Sequence, residues 1–499
     1  MPVPMPVPAL RADVARSSGV VETHCATVFF TGDLAVKVKK ALDLGFVDWR
    51  TGAARERACR DEVTLNRRFA PDVYLGVADV RLTQRPDGTS SPDACEWAVV
   101  MRRMPGDRRL SALIAAGEDV DDGLRVVARL LAAHHATARR SGSIDAQGTP
   151  EALGRRWTDN LDALDGFVGR VVDPEPLEQV RELALRYVAG RHRLLTSRIE
   201  HGHVRDGHGD LLADDIFCLD DGPRVLDCLE FDPALRALDA LDDAACLAMD
   251  LERLGAGRHA VRFLRWFGEF SGDPGPAGLG DHYVAYRATM RAKVAALRWA
   301  QGDAAAADTA RQLVDLALRR LRRAEPRMVL VGGAPGTGKS TVAAGVADRM
   351  GAVLLRSDRI RKESAGLDPL GPAGAALGRG LYTPAATDAT YATMIARAGE
   401  LLGLGESVVL DATWGRSEHR WQAEAVATAT ASRLEQFRCR TSPATARDRL
   451  ARRRGDASDA GPAVGAALAA AFEPWPEAQD VDTEAAVEDS VQSVVGGCT

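Results

Sequence analysis

The spacing of apolar and polar positions changes character several times along the chain, and each change marks a boundary. VVETHCATVFFTGDLAVKVKK (20–40) is β-branched and broken at Thr31-Gly32-Asp33, which predicts a hairpin of two strands. A helical segment follows over about 51–70, then short strands up to CEWAVVMRRM (95–104). From 106 to about 305 the period is mostly helical, as in LRVVARLLAAHHATARR and DHYVAYRATMRAKVAALRWA. The main strand-like interruption is 208–231. The stretch 304–327 reads as a helix closed by Glu-Pro, which places a junction there. Beyond it MVLVGG (328–333) is a buried strand entering a glycine-rich loop. Helices then alternate with the strands AVLLRSD, SVVLDATW and LEQFRC, a pattern that implies a mostly parallel sheet.

The expected organisation is a disordered or extended tail over 1–19, a small strand-rich lobe over 20–105 and a helical lobe over 106–303. A connecting helix and linker (304–327) lead to a phosphate-loop domain over 328–499. At 499 residues the chain exceeds one ordinary core. Its 46% hydrophobic and 27% charged residues are those of a globular protein, and a net charge of −6 argues against coating nucleic acid or an anionic membrane. The eight cysteines include no C-x-x-C pair, so they read as reduced thiols rather than a disulfide framework. No stretch approaches the roughly 18 apolar residues of a membrane span. The N-terminal MPVPMPVP lacks a basic-then-apolar signal. The expectation is a cytoplasmic protein without nucleic-acid or membrane partners, of undefined oligomeric state.

GAPGTGKS (333–340) fits G-x-x-x-x-G-K-[ST] between an apolar strand and the helix STVAAGVADRM. In such a loop the backbone from Gly333 through Ala334, Pro335, Gly336, Thr337 and Gly338 to Thr341 wraps the phosphates with its N–H groups. Lys339 reaches the β/γ-phosphates and Ser340 offers a hydroxyl to Mg²⁺. Asp411, ending SVVLD, is placed like an acid that holds Mg²⁺ through water. Asp358, ending AVLLRSD, is placed like a general base for an acceptor hydroxyl; alternatively it caps the next helix. Arg449, Arg452 and Arg453 lie on one basic stretch (447–460), either a phosphate-neutralising lid or a solvated helix. These features resemble the small P-loop kinases: gluconate kinase, chloramphenicol phosphotransferase, zeta-toxin kinases and the kinase half of polynucleotide kinase. The resemblance covers about 328–460 and implies that Asp358 is the base and 447–460 the lid. An AAA-type motor does not fit a domain of about 170 residues with no attached helical lid domain.

The earlier half poses a second phosphate question. HGDLLADDIF (208–217) offers Asp210 as the group that takes an acceptor proton, and Asp227, twelve residues after Asp215, as a metal-binding acid. On LAVKVKK, Lys37 and Lys39 share a face because strand side chains alternate; the Ala35-Val36-Lys37 run favours Lys37 as the phosphate lysine. Its partner is expected at Glu62, an acid in the apolar stripe of Ala58, Leu65 and Phe69. His134 and His135 read as helix-packing residues, and Met101–Pro105 as a hinge contacting adenine.

HGDLLADDIF followed by VLDCLEFDPALRALD resembles the aminoglycoside phosphotransferase and choline-kinase-like superfamily, whose loop reads H-G-D-x-x-x-x-N. More narrowly, ETHCATVFFTGDLAVKVKK and RACRDEVTLNRRFAPDVYLGV resemble a bacterial family that fuses such a domain to a P-loop kinase. This chain departs from the loop pattern at Asp215, where Asn is usual; carboxylate is no poorer a ligand for Mg²⁺ but adds negative charge. The expected fold class is α/β multidomain, a two-lobed protein-kinase-like α+β domain followed by a P-loop α/β domain. The expected activity is Mg²⁺- and ATP-dependent phosphate transfer to hydroxyls of small molecules by both halves. The alternative makes the first half a nucleotide-binding adaptor and leaves the chemistry, as kinase or ATPase, to the second.

Overall fold

The computed structural model describes residues 19–23, 25–43, 48–81, 95–368, 383–452 and 462–498. The chain forms two compact units: Met1–Leu177 with Ser197–Gly275 and Tyr283–Leu318, and Glu178–Thr196 with Pro276–His282 and Arg319–Thr499. The tail expected over 1–19 lies outside the described residues except for Gly19, as does Arg453.

In the first unit an antiparallel sheet is built from β1 (Gly19–Glu22), β2 (Ala26–Thr31), β3 (Leu34–Lys39), β4 (Tyr74–Arg81) and β5 (Cys95–Arg102), in the order β1-β2-β3-β5-β4. The predicted two-strand hairpin is thus three strands, because the Thr23 hydroxyl and N–H turn the chain back on the carbonyl of Ala26. Alternation along β3 sorts its residues. Val36 and Val38 join Val80 and Ala98 on one face, while Ala35 joins Cys59, Val63, Val99 and Met101 on the other. Lys37 and Lys39 therefore share Ala35's face, towards the helix Gly52–Asn66, which packs on β4 and β5.

The rest of this unit is mainly helical and carries two small antiparallel ribbons: β6 (Val204–Asp206) with β9 (Ala237–Asp239), and β7 (Ile216–Leu219) with β8 (Gly222–Val225). The loop His208–Asp215 joins β6 to β7, and Asp227 follows β8. Behind them runs the helix Ala240–Arg253, whose residues from Ala240 to Leu251 are all buried. A buried acid costs stability unless it is paired. Each of its three inner acids has such a partner, as the site shows below.

In the second unit β10 (Arg327–Gly332), β11 (Val353–Arg356), β12 (Val408–Asp411), β13 (Arg433–Arg440) and β14 (Gln479–Asp482) form a wholly parallel sheet, ordered β11-β12-β10-β13-β14. Both faces are covered, so β10 reads as an unbroken apolar run. Met328 and Leu330 pack with the helices Pro384–Gly403 and Ser417–Ala429; Val329 and Val331 pack with Lys339–Met350 and Val487–Gly497. The order reverses at β10, and an open parallel sheet binds ligands beyond the carboxyl ends of its strands at such a point. Gly332, Arg356 and Asp411 all end there.

Candidate functional site

In the first unit a strand, a helix and a loop converge on one ammonium. Lys37 Nζ lies 2.9 Å from Glu62 Oε1 and 2.7 Å from Asp227 Oδ1. Glu62 is fully buried, and its other oxygen accepts at 2.7 Å from Lys39, which also pairs with Glu230 at 2.5 Å and lies 4.6 Å from the Trp49 ring centre. Lys37 retains some exposure, whereas the Lys39 side chain is buried. Lys37 thus faces the opening and Lys39 anchors the helix and the strand-end acids behind it. Asp227 is held with a φ of +62°. Its N–H donates to the Tyr74 hydroxyl at 3.1 Å and the next N–H, of Cys228, to Asn66 Oδ1 at 2.8 Å. These bonds stabilise a conformation that costs about 1 kcal/mol or more. The Lys37 ammonium holds the Asp227 carboxyl below its ordinary range.

The loop carrying Asp210 hangs from the buried helix Ala240–Arg253. Asp243 accepts from the N–H groups of His208 (2.7 Å) and Gly209 (2.9 Å) and meets His135 Nε2 at 2.9 Å. Burial pushes the Asp243 carboxyl up, but His135, His208 and the loop N–H more than offset it and hold the group well below the usual carboxylate range. Asp242 pairs with Arg287 (2.7 Å), whose second arm donates to the Gly209 carbonyl (2.7 Å), and Asp250 accepts from the Ala213 N–H (2.9 Å). Gly209 sits at φ +89°, and a Cβ there would lie 3.2–3.3 Å from Arg236, Leu229 and Leu235, so glycine is required. Asp210 meets Arg291 Nη1 at 3.3 Å.

Asp215 lies among like charges. Burial, then the Asp227 and Asp210 carboxylates, push its carboxyl well above its ordinary value. A divalent cation supported by phosphate oxygens would relieve that repulsion, so the oxygen donors of Asp215 and Asp227 fit Mg²⁺. Among the described residues no group of three or more His, Cys, Asp or Glu side chains could hold a metal by itself.

The second unit builds its site mainly from backbone. Gly333 (φ +137°), Gly336 (φ +87°) and Gly338 (φ +84°) bend the chain from β10 into the helix Lys339–Met350. A Cβ on Gly336 would lie 2.6 Å from the Ala446 carbonyl, and one on Gly333 2.7 Å from that of Cys439. The Thr337 N–H and hydroxyl both return to the Ala334 carbonyl. Lys339 is buried at the helix start, where the first N–H groups have no helical partner. Asp411 Oδ2 accepts from Arg356 Nε at 3.2 Å, while Oδ1 is buried with no hydrogen-bond partner among the described residues. Burial raises its carboxyl pKa, and the nearby Lys339 ammonium and Ser340 hydroxyl draw it partly back. An orphaned carboxylate oxygen beside a serine hydroxyl fits Mg²⁺.

Asp358 occupies the first turn of the helix Ser357–Ser364, half-buried and close enough to Asp411 and Tyr391 to raise both their pKa values. Arg449 donates to the Thr483 carbonyl at 2.7 Å, and the Thr483 hydroxyl donates to the Thr337 carbonyl at 2.7 Å, which ties that arginine to the phosphate loop. Arg452 does not join them: its side chain is 80% exposed and pairs with Asp448 one turn back, the geometry of a solvated helix.

Two comparisons with known proteins bear on the family. Residues 328–475 match the family described as AAA domain, AAA_33. Uncharacterized protein Rv2004c of Mycobacterium tuberculosis (strain ATCC 25618 / H37Rv) is 42% identical over 473 residues, covering 95% of this chain and 93% of its own. Uncharacterized protein Mb2027c of Mycobacterium bovis matches to the same extent. The chain belongs to this Rv2004c family. Members of the Rv2004c family thus share both units. The AAA term describes only the phosphate-loop region here. Among solved structures, a choline kinase from Cryptosporidium parvum is 8% identical, covering 61% of this chain and 87% of its own at TM-score 0.36. A thermostable mutant of aminoglycoside phosphotransferase APH(4)-Ia is 14% identical, covering 62% and 96% at TM-score 0.35. A sugar kinase from Janibacter sp. HTCC2649 is 17% identical, covering 34% and 93% at TM-score 0.28.

Several site residues carry no signal in the sequence reading. Thr483 and Tyr74 act through single hydroxyls from remote segments. Arg291 sits in a helix rich in basic positions, where one inward guanidinium looks like the others. His135 does pack in a helix, as expected, but through a hydrogen bond to the carboxylate that holds the loop.

Proposed function

We propose that this chain is a Mg²⁺- and ATP-dependent phosphotransferase with two modules, each moving the γ-phosphate to a hydroxyl of a small molecule. The observation that carries this is Lys37 held between Glu62 and Asp227, which sets a lysine from a strand beside a metal-type acid from a loop, the pairing that phosphate positioning requires. Transfer of a phosphoryl group is mostly positioning and charge neutralisation. In the first module Lys37 orients the phosphates and Asp210 takes the acceptor proton. In the second, the loop Gly333–Thr341 and Lys339 cradle the phosphates, Asp358 takes the proton, and Arg449 stands at the loop's edge. Mg²⁺ would be held by Asp215 and Asp227 in one module and by Ser340 and Asp411 in the other, and supplies positive charge against the phosphate oxygens. Small hydroxylated solutes as acceptors and a cytoplasmic location belong to the same proposal; among the described residues no helix is long and apolar enough to cross a membrane.

The test is the stoichiometry of Mg·ATP binding by calorimetry on the wild type and on Lys339→Ala. Two sites falling to one support a live nucleotide site in each module, and phosphate transfer by each is then read from its own ADP release with an acceptor. One site falling to none means a first module that has lost its nucleotide, and favours the second reading, in which only the second half does chemistry. The carboxyl of Asp215, crowded by two others, is the specific reason to hold that reading open.

A further inference from the structure

Arg291 stands in the first module next to the residue that takes the acceptor proton, and its bonding is unlike that of its neighbour one turn away. Arg287 is saturated: it pairs with Asp242 at 2.7 Å and holds the Gly209 carbonyl at 2.7 Å. The hydrogen bonds of Arg291 among the described residues run from one nitrogen, Nη1, to the two oxygens of Asp210 at 3.3 and 3.5 Å. Charge-assisted bonds of a settled pair are 2.7–2.9 Å long and commonly two-pronged. A guanidinium has five N–H donors in a fixed fork. Nε and Nη2 are therefore uncommitted, and the side chain keeps 28% exposure beside an Asp210 that keeps 30%. Of the other acids near it, Asp250 is paired with Arg253 and the Ala213 N–H and Asp242 with Arg287, while Asp215 adds its charge from the side where Mg²⁺ would be held. The base thus shares its opening with a cation whose fork is largely unused.

We infer that Arg291 is a specificity-determining residue of the first module, binding the carboxylate or phosphate of an anionic hydroxyl-bearing acceptor while Asp210 faces its hydroxyl. The inference rests on the reading of this module as a phosphotransferase. In the step, the acceptor O–H proton passes to an Asp210 oxygen, and the acceptor oxygen forms its bond to the γ-phosphorus. The bond from that phosphorus to the β–γ bridging oxygen breaks, and ADP leaves. The fork of Arg291 stays on the acceptor's own anion throughout. A cationic acceptor is disfavoured by the same charge.

The experiment uses the full chain carrying Lys339→Ala, so that ADP release reports the first module, with the further change Asp210→Asn as background. Matched probes are glycerate against glycerol, gluconate against sorbitol, and ethanolamine as a cation. The expected result is ADP release stimulated by an acid about tenfold or more over its neutral partner, the factor that hydrogen bonds to a charged group provide. Arg291→Gln should bring that preference close to unity through KM, and Arg291→Lys should retain part of it. Neutral or cationic probes preferred, a preference unchanged in Arg291→Gln, or no stimulation by either acid would each overturn the inference. If Arg291→Gln lowers turnover equally for all probes and for water, the fork serves the transferred phosphoryl group and the inference also fails. Failure of the underlying reading looks different: no Mg·ATP binding by Lys339→Ala and no ADP above the Asp210→Asn background.

Discussion

The two units build their proposed phosphate sites by opposite means. In the second, the stretch Gly333–Thr341 supplies the cradle, and the main requirement is that its glycines tolerate φ values from +84° to +137° while carbonyls press on two of them. In the first, positions as distant as Lys37, Glu62 and Asp227 supply side chains, and the requirement is that buried charges balance. A backbone cradle is specified locally and breaks locally. An ion-pair site is specified by the whole fold and breaks through stability as well as function.

The sharpest way to separate the two is to remove each proposed base. Asp210→Asn and Asp358→Asn should each lower transfer by their own module about 10²–10⁴-fold, leaving the other module's ADP release and both nucleotide sites intact by calorimetry. If either substitution silences both modules, the sites are not independent and the comparison collapses.

Next come the supports. Glu62→Gln leaves Lys39 buried with Glu230 alone and removes the charge between two lysines. Breaking a buried pair from one side costs roughly 3–5 kcal/mol, so the first unit should unfold at distinctly lower denaturant while the second keeps its midpoint. Gly336→Ala should act the other way. Its Cβ would clash with the Ala446 carbonyl at a φ that favours glycine. Mg·ATP affinity at the second site should therefore fall about tenfold or more, with the first unit's denaturation midpoint unchanged. A Glu62→Gln chain that melts like wild type would show that the network is a weak surface-type pairing.

The same contrast explains what the sequence made legible. The phosphate loop could be read whole, because strand, glycines, lysine and helix are contiguous and each has a local physical reason. Lys37 and Glu62 could be paired from alternation and a misplaced acid in an apolar stripe. That Lys39 bridges Glu62 and Glu230 was not legible, since alternation places both lysines on one face without saying which acid each one reaches. Nor was the role of Asp243: Asp242-Asp243 in ALDDAACLAMD gives no hint of which acid faces the loop. Residues that act by accepting N–H groups leave no pattern of their own.

The narrowest test, read through pH dependence, comes from two carboxylates of the first unit with opposite environments. Asp243 is surrounded by donors, and its pKa is depressed on folding. Its contribution is therefore present above the unfolded value near pH 4 and is lost as pH falls through the folded one. Asp215 is buried beside the Asp227 and Asp210 carboxylates, and its pKa is raised. A raised group favours the folded state only while protonated, so its contribution is present below about pH 4 and is lost as pH rises through the folded value. In chelator, Asp215→Asn should then stabilise the first unit near neutrality, the gain shrinking as pH falls. Asp243→Asn should instead destabilise it near neutrality and flatten its loss of stability in acid. Titrating Mg²⁺ into the nucleotide complex should reverse the first result, since a carboxylate that is costly without a cation becomes its ligand with one. An Asp215→Asn chain whose stability does not differ from wild type at any pH, with or without Mg²⁺, would remove Asp215 from the site.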